Sequence, residues 1–372
     1  MGRDRISRRG FLKTGAVAVG GGAALTATAA GAQAPEVVKR NEQEGMRYRL
    51  MGRTGWRVSE LSFGGLGATA PVMTSAFEKG VNFLHTSHAY GDGASFVECA
   101  KVLPDHRDSL FLAVKAFGAD VDEFAGWLNA LKVEKADVIF HPTTNPADGS
   151  DASGALREKF QALKDRGLVD YLGLTVHSEV VPTMNAAVQV DFWDCLMPVY
   201  ALAVRPDLAG AMQTAGEKNI GVLSMKTLQG AGGEGAVAAF KTALDSPALT
   251  SVLKGMTSFH LLDSLSSAVG ERPTADEQAS LYQNYVAQRS SSCAMCSACS
   301  GCPQGLAVEE IVRCSLYYEG ELGDHGHARQ VYRELPAERT AAACADCGTC
   351  EQACPNGLPI REIMRATHDR LA

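Results

Sequence analysis

Short apolar runs alternate with longer amphipathic stretches between residues 46 and 270. The runs have the length of buried strands, and the stretches between them can turn an apolar stripe inward, as helices do. Helical examples are 121–132, 153–166, 207–218 and 235–244. The pattern predicts eight strands, at 61–64, 81–85, 110–115, 137–141, 171–177, 195–200, 221–225 and 251–255.

Eight strands that alternate with helices over about 225 residues predict an α/β fold, namely a closed parallel (β/α)8 barrel of the TIM type. An open, doubly wound sheet is the alternative. That fold uses a G-x-G-x-x-G turn after its first strand, and the sequence Gly64-Gly65-Leu66-Gly67 does not supply one. We therefore favour the barrel.

The barrel pattern ends at Arg272-Pro273, and Thr274 with Glu277 then forms a capping-box signature. A helix over 275–289, roughly 22 Å long at about 1.5 Å per residue, would carry the chain from the base of the barrel towards its mouth. Helices are also expected at 309–316 and 360–368, with a loop at 319–327. The predicted parts are a leader (1–34), the barrel (35–272), a connecting helix (273–290) and a small helical module (291–372).

Eight of the eleven cysteines lie in two blocks within this last part. The second block has the spacing C-x2-C-x2-C-x3-C-P, in which three close thiolates hold one iron–sulfur cluster and the fourth serves another cluster. The first block is one residue shorter before its last cysteine. We expect a ferredoxin-like module with two [4Fe-4S] clusters, ligated by Cys293, Cys296, Cys299 and Cys354 and by Cys344, Cys347, Cys350 and Cys302.

Structural zinc and disulfides also use clustered cysteines. Four-thiolate zinc sites are made of two separated C-x-x-C pairs, and disulfides give no reason for uninterrupted C-x-x-C steps, so the spacing favours clusters. The other three cysteines, Cys99, Cys195 and Cys314, are expected to be small buried side chains.

The amino terminus changes the expected location of the protein. The segment Ser7-Arg8-Arg9-Gly10-Phe11-Leu12-Lys13 precedes a run rich in glycine and alanine and resembles a twin-arginine export signal. A membrane anchor is the alternative, but it needs about 20 strongly apolar residues. We expect export to the periplasm and no stable membrane span. Cleavage stays open, because Pro35 follows the small residues at 32–34.

Composition and net charge exclude some classes of binding partner. The chain is 46% hydrophobic and 21% charged, which is ordinary for a globular protein. Its net charge of −7 argues against nucleic acid and anionic membranes as partners. We expect a small-molecule substrate, and we leave a redox partner protein open.

Two segments of the barrel resemble those of a known family. Residues 48–59, with the sequence YRLMGRTGWRVS, resemble the opening hairpin of the aldo-keto reductases, and 80–91, with GVNFLHTSHAYG, resemble the second strand and its loop. Lys115, His141 and Lys226 extend the match over most of 46–270. The most similar branch of that family carries a two-cluster module after its barrel. The resemblance implies an oxidoreductase that acts on a carbonyl or alcohol substrate, with a sugar as one candidate.

The expected catalytic residues follow neighbouring strands, whose carboxyl ends form the active site of such barrels. Tyr90 follows the second strand, Lys115 ends the third and His141 ends the fourth. We expect the Lys115 cation to lower the pKa of Tyr90, the general acid, and His141 to orient the carbonyl oxygen. The alternative is that each is incidental. Where the family has the aspartate that pairs with the lysine, this chain has His85, which leaves activity open.

The resemblance also implies a nicotinamide nucleotide, but several positions depart from the family pattern. Met225 stands where a tyrosine stacks on the nicotinamide ring, and His260 stands where an arginine reads a 2'-phosphate. Binding of NADP or NAD is therefore open. An alternative function is an electron-transfer or structural subunit whose barrel has lost the nucleotide and catalysis. The positions assigned to the nucleotide are Gly64, Thr175, Met225, Lys226, Lys254 and Ser258.

Overall fold

The structure is a computed structural model that describes residues 36–116, 119–143, 154–177, 179–202, 204–229, 231, 235–320 and 323–372. The predicted twin-arginine signal at 1–34 lies outside these residues.

The described residues contain eight parallel strands that close into a barrel, which confirms the predicted fold. Each strand pairs with the next one along the chain, and the last pairs with the first. All eight predicted strands are present, with ends shifted by up to two residues. They are β4 (Leu61–Gly64), β5 (Phe83–Ser87), β6 (Phe111–Lys115), β7 (Val138–Thr143), β8 (Tyr171–Val176), β9 (Cys195–Pro198), β10 (Gly221–Ser224) and β11 (Ser251–Gly255).

Helices follow these strands and cover the barrel. Their starts are set by local chemistry in some cases: the Asp120 carboxylate accepts a hydrogen bond from the Glu123 amide at 2.8 Å, so it caps the third helix. The helices are α1 (Ala70–Glu78), α2 (Ala94–His106), α3 (Val121–Ala130), α4 (Gly154–Asp165), α5 (Val180–Ala187), α6 (Arg205–Glu217), α7 (Gly235–Leu244) and α8 (Phe259–Ser267).

A small sheet closes the base of the barrel. It consists of β1 (Val38–Lys39), β2 (Tyr48–Leu50) and β3 (Trp56–Ser59), in which β2 and β3 form the predicted hairpin. The Trp56 ring stacks on Phe111, at the start of β6, with ring centroids 4.7 Å apart. Beneath it, Arg40 and Arg107 both pair with the buried Asp137 carboxylate. Because the base is closed, a binding site can open only at the opposite end of the barrel, where the strands end.

The connecting helix α9 (Ala275–Gln288) begins with the predicted capping box of Thr274 and Glu277. It packs on α7 through Leu281, which is fully buried with Ala238 and Ala239. The chain then enters a smaller unit with its own apolar core. This C-terminal segment contains α10 (Val308–Arg313), a π-helical turn (Cys314–Glu319), α11 (His325–Arg333), α12 (Thr349–Ala353) and α13 (Ile360–Leu371).

The segment before and within α11 differs in part from the expected loop. The predicted loop at 319–327 is wrong in its last part, because α11 begins at His325. The Asp324 carboxylate accepts a hydrogen bond from the His327 amide at 2.9 Å and so supplies the cap. No helix in the described part of the chain has the length and hydropathy to cross a membrane.

Candidate active site

A cavity of about 280 Å³ opens at the carboxyl ends of the barrel strands. The predicted residues His85, Tyr90 and Lys115 line it from β5, the following loop and β6. The roof is formed by Tyr317 and Tyr318 of the π-helical turn, together with His327 of α11. The expectation that the C-terminal part reaches the barrel mouth is therefore confirmed for these side chains.

Lys115 occupies the centre of the cavity wall. It ends β6 opposite Ser87 of β5, and its side chain lines the cavity, where it is 6% exposed. The Nζ atom lies 5.5 Å from the centroid of the Tyr90 ring and 3.3 Å from Nε2 of His177. Burial, and then the charge of Arg313, lowers the pKa of Lys115 to about 7.

The arrangement does not activate Tyr90 in the expected way. Burial raises the pKa of its phenol above the usual value of about 10, and the ammonium of Lys115 lies over the ring face. The prediction of a lowered pKa is thus not met, because desolvation dominates the phenol. Tyr90 remains a neutral hydrogen-bond donor.

His85 stands in the layer that the family resemblance assigns to an aspartate. It pairs with Gly64 of β4 and is 2% exposed, with its ring 5.9 Å from the Tyr90 ring and 5.7 Å from the Phe140 ring. Burial, and then the charge of Lys115, lowers the pKa of His85 to about 3, so it is neutral at pH 7. Its Nε2 atom is buried and neither donates a hydrogen bond to, nor accepts one from, any described residue.

His141 does not reach the cavity. Phe140 is the β7 residue that pairs with Lys115, and its ring faces His85 inside the barrel. Because side chains alternate along a strand, His141 points to the other face, where its ring stacks on Trp193 at 6.3 Å. The expected role of His141 at a substrate oxygen therefore has no support from its position.

His177 takes the place that was expected for His141. It follows β8 and lines the cavity beside Lys115. Burial, and then the charge of Lys115, lowers the pKa of His177 well below 6.5. The same rule that selected Tyr90, a polar side chain at a strand end, could have selected His177, because the predicted strand 171–177 ended on it.

Lys226 presents a second lysine to the cavity. It directly follows the bridge residue Met225 after β10 and has a left-handed backbone, with φ of 55°. Its Nζ atom lies 4.0 Å from the centroid of the Tyr317 ring. Burial, and then the charge of Arg313, lowers the pKa of Lys226 well below its usual value, whereas the charges of Glu309 and Cys293 act to raise it. Lys226 therefore lines the cavity and also lies near the first cysteine block.

The positions assigned to a nicotinamide nucleotide divide into two groups. Ser258 is not among the residues that line the cavity, and its hydroxyl caps α8 by accepting a hydrogen bond from the Leu261 amide at 3.3 Å. The structure brings the remaining positions together around the cavity, and they are Gly64, Thr175, Met225, Lys226 and Lys254.

Arg313 joins the C-terminal segment to the barrel. This side chain of α10 is 4% exposed, pairs with Glu310, and donates a hydrogen bond from Nη1 to the His177 carbonyl oxygen at 3.0 Å. Met295, which is 1% exposed, packs into the barrel core. The roof of the cavity is thus held by both polar and apolar contacts.

All eleven cysteines lie in the described residues, and none of them forms a disulfide. Cys354 belongs to the second block but lies near the first. Burial raises the pKa of Cys299, and the charges of Cys293, Cys296 and Cys354 add to this effect. Asn356, two residues after Cys354, donates a hydrogen bond to the carbonyl oxygen of Ser292 at 2.7 Å.

The two cysteine blocks repeat one backbone conformation. Left-handed residues occur two positions after the first cysteine and directly after the second cysteine of each block. Such residues turn successive amides to one side and create a concavity for an anionic group. The φ angles are 50° at Met295 and 59° at Ser297 in the first block, and 61° at Asp346 and 73° at Gly348 in the second.

The repeat continues beyond the last cysteine of each block. Gly305 and Gly357, each three positions further, have φ of 70° and 65°, and each donates its amide to the carbonyl oxygen of that cysteine. A helix then begins six residues after the cysteine, at Val308 and at Ile360. Among the described residues, no group of three or more His, Cys, Asp or Glu is arranged to hold a metal ion.

The barrel resembles solved structures of aldo-keto reductases. One, from Bacillus halodurans in its holo form, matches with a TM-score of 0.53 and 20% identity over 64% of this chain and 96% of that chain. Another, a Pseudomonas aeruginosa protein described as an aldo-keto reductase, matches with a TM-score of 0.51 and 22% identity over 60% of this chain and 94% of that chain. At these identities the likeness shows a common fold. No family model matches the sequence.

Proposed function

We propose that the chain is an oxidoreductase of the aldo-keto reductase type that acts on a small carbonyl or alcohol compound and carries two [4Fe-4S] clusters in its C-terminal segment. One observation carries this proposal: a cavity at the carboxyl ends of the strands contains Tyr90 and Lys115 and is roofed by the segment that holds the cysteine blocks. Polar groups at this end of a (β/α)8 barrel are typical of its active site.

The cysteine loops fit such clusters. Each ligand of a [4Fe-4S] cluster binds a different iron, so a set of four cysteines need not converge as the ligands of one metal ion do. The charges of Cys293, Cys296 and Cys354 act on Cys299, which agrees with the crossed set predicted for one cluster. Both blocks contain left-handed residues, and such residues can form the amide concavities found at many iron–sulfur sites. The second set would be Cys344, Cys347, Cys350 and Cys302.

The residues of the cavity would bind and orient the substrate. Tyr90 would donate a hydrogen bond to the carbonyl oxygen, and Lys115 with His177 would hold the polar substituents beside it. Interconversion of a carbonyl and an alcohol moves two electrons and two protons, and the two clusters, when bound, would supply or accept one electron each. Lys226 lines the cavity and lies near Cys293.

The experiment is an anaerobic preparation with iron analysis and a substrate screen. We expect about eight irons per chain, a number that follows from two [4Fe-4S] clusters. Carbonyl and alcohol compounds are then tested for turnover with a reduced or oxidised one-electron dye. Tyr90→Phe should lower turnover by about 100-fold or more, as expected on loss of a proton donor, and retain the iron. Unchanged turnover in this variant would remove Tyr90 from the mechanism.

A second candidate is an electron-transfer or structural subunit whose barrel has no catalytic role. The observation that favours it is the raised pKa of Tyr90, because a phenol that is harder to ionise is a weaker acid. The protein is titrated with NADPH and with NADH while its tryptophan fluorescence is recorded. Binding of either nucleotide would favour the oxidoreductase over this second candidate. If neither nucleotide binds and no substrate turns over, the second candidate stands.

We also propose that the protein is exported to the periplasm by its twin-arginine signal, with the clusters inserted before transport. Replacement of both Arg8 and Arg9 by lysine should retain the protein in the cytoplasm with its iron, when cell fractions are compared by immunoblotting. Equal periplasmic amounts of the variant and the original protein would contradict export by this route.

A further inference from the structure

The charge of the cavity lining is one-sided. The described side chains that line it include three lysines and three histidines but no aspartate or glutamate. Buried charges in proteins are usually paired or hydrogen-bonded, and this lining itself contains no carboxylate. The cations are Lys115, Lys226 and Lys254, and the imidazoles are His85, His177 and His327.

Lys226 is the group that most needs a partner. Its Nζ atom is buried and has no hydrogen-bond acceptor within the described residues, although it lies against the face of the Tyr317 ring. Two other cavity-lining residues also have a buried polar atom without a hydrogen bond to any described residue. These atoms are Gln229 Oε1 and His85 Nε2. Buried polar atoms of this kind are normally satisfied, so a ligand is the simplest occupant.

No carboxylate of the cavity lining balances Lys226. Glu310 is committed to Arg313, with which it forms an ion pair on α10. Glu309 is buried and is not among the cavity-lining residues, so its charge acts on Lys226 from outside the lining. Arg313 itself adds a positive charge that acts on both Lys115 and Lys226.

We propose that this cavity binds a small carbonyl or alcohol compound that carries a carboxylate or phosphate group, and that Lys226, with Lys115 and His177, holds the anionic group. The cavity volume of about 280 Å³ lies just below the range of about 300–1,000 Å³ for small-molecule pockets, so the compound must be small. The carbonyl or alcohol half of the assignment rests on the proposed oxidoreductase function. The anionic half rests on the lining of the cavity alone.

Calorimetric titration of the full-length, iron-loaded protein tests the anionic half. The probes are pyruvate, dihydroxyacetone phosphate and the neutral dihydroxyacetone, in a zwitterionic buffer at pH 6.5. We expect at least one charged probe to bind about tenfold more tightly than dihydroxyacetone, because charge-assisted hydrogen bonds are the stronger ones. Preference for pyruvate would indicate a carboxylate, and preference for the phosphate compound would indicate a phosphate. The proposal fails if neither charged probe binds more tightly than the neutral one.

Matched variants locate the charge. Lys226→Met should abolish the preference for the charged probe, Lys226→Arg should retain most of it, and Lys39→Met, at an exposed lysine of β1 on the base, should leave it unchanged. His85→Asp gives an independent measurement if Lys226→Met does not fold. It places a carboxylate in the cavity and should weaken binding of the charged probe by about tenfold or more, with little effect on dihydroxyacetone. An unchanged preference in both Lys226→Met and His85→Asp would overturn the proposal.

The binding and turnover measurements distinguish failure of the proposed anion site from failure of the proposed oxidoreductase function. A protein that prefers charged probes but converts no carbonyl or alcohol compound retains the anion site and loses the proposed oxidoreductase function. A protein that converts neutral substrates without any preference for charge retains the function and loses the anion site.

Discussion

Lys115 is a cavity residue whose charge changes close to neutral pH. Its pKa is lowered to about 7 in the folded chain, and it would titrate near 10.4 in the unfolded chain. Between these values the unfolded chain holds a proton that the folded chain has lost, so the stability contributed by this group rises as the pH rises from about 7 to 10. Below pH 7 both states are protonated, and the cost of the buried charge is fully present.

Replacing Lys115 with methionine should therefore stabilise the protein more at pH 6 than at pH 9. We expect the two effects on the free energy of unfolding to differ by roughly 2 kcal/mol, measured by urea unfolding in buffers without small organic anions. Lys39→Met is the matched control, because that side chain is 62% exposed and should show no such difference. Equal effects of Lys115→Met at both pH values would mean that the lysine keeps its ordinary pKa.

A second prediction for single residues concerns His177 and His141. His177→Ala should weaken binding of the charged probe by about tenfold, because it removes the imidazole that lies 3.3 Å from the Lys115 Nζ atom. His141→Ala should leave that affinity within about twofold, because its ring stacks on Trp193 outside the cavity. Calorimetry on the two variants decides the matter. A larger loss for His141→Ala would support the position that the sequence suggested.

The error over His141 has a simple physical origin. Residues 138–142 form an almost continuous apolar run, and a parallel strand that is buried on both faces does not show in its sequence which residues face inward. Tyr90 and Lys115 could be predicted, because a strand end and the family resemblance coincide there. The raised pKa of Tyr90 could not be predicted, because it depends on how far the C-terminal segment encloses the cavity.

At the level of the elements, the strands and the connecting helix were predictable from periodicity, but α11 and the π-helical turn were not. Three glycines between Gly320 and Gly326 suggested a loop. The Asp324 cap and the buried Ala328 and Tyr332 favour a helix there, because tertiary packing outweighs the low helix propensity of glycine. The left-handed conformations in the cysteine blocks could not be predicted from the sequence either, because three of the four residues that adopt them are not glycine.

One contact between elements fixes how the hairpin enters the base of the barrel. Gly221 begins β10, and a Cβ atom at this position would lie 2.5 Å from Cγ and 3.1 Å from the carbonyl carbon of Met51. Gly221→Ala should lower the free energy of unfolding by about 1–3 kcal/mol, because the backbone of Met51 cannot give way easily. Thermal or urea unfolding measures this change.

Gly210→Ala is the matched control for that substitution. Gly210 lies inside α6, and nothing stands within 4 Å of its added Cβ atom. Alanine there should raise the free energy of unfolding by about 0.5–1 kcal/mol, through helix propensity. A loss of stability at Gly210 as large as that at Gly221 would show that the Met51 contact is not the cause.

At the scale of the whole molecule, the two units depend on each other unequally. The barrel has a large continuous core, whereas the C-terminal segment has a small one that includes several of the cysteines. A unit of that size usually needs an additional staple, such as a metal site. The roof of the cavity, however, belongs to this smaller unit. The order of the active site should therefore depend on the cysteine loops.

Removal of iron from the anaerobically purified protein with a chelator tests this dependence. If the proposed clusters stabilise the C-terminal segment, amide hydrogen exchange should rise by about tenfold or more over residues 290–372 and should stay nearly unchanged in the barrel strands. The increase should include Tyr317 and Tyr318, so the affinity for the charged probe should fall with it, because Lys226 loses the ring that covers it. Restoring iron and sulfide should reverse both changes. Exchange that is the same with and without iron would mean that the core of Leu306, Ile311 and Met364 holds the roof in place without any cluster.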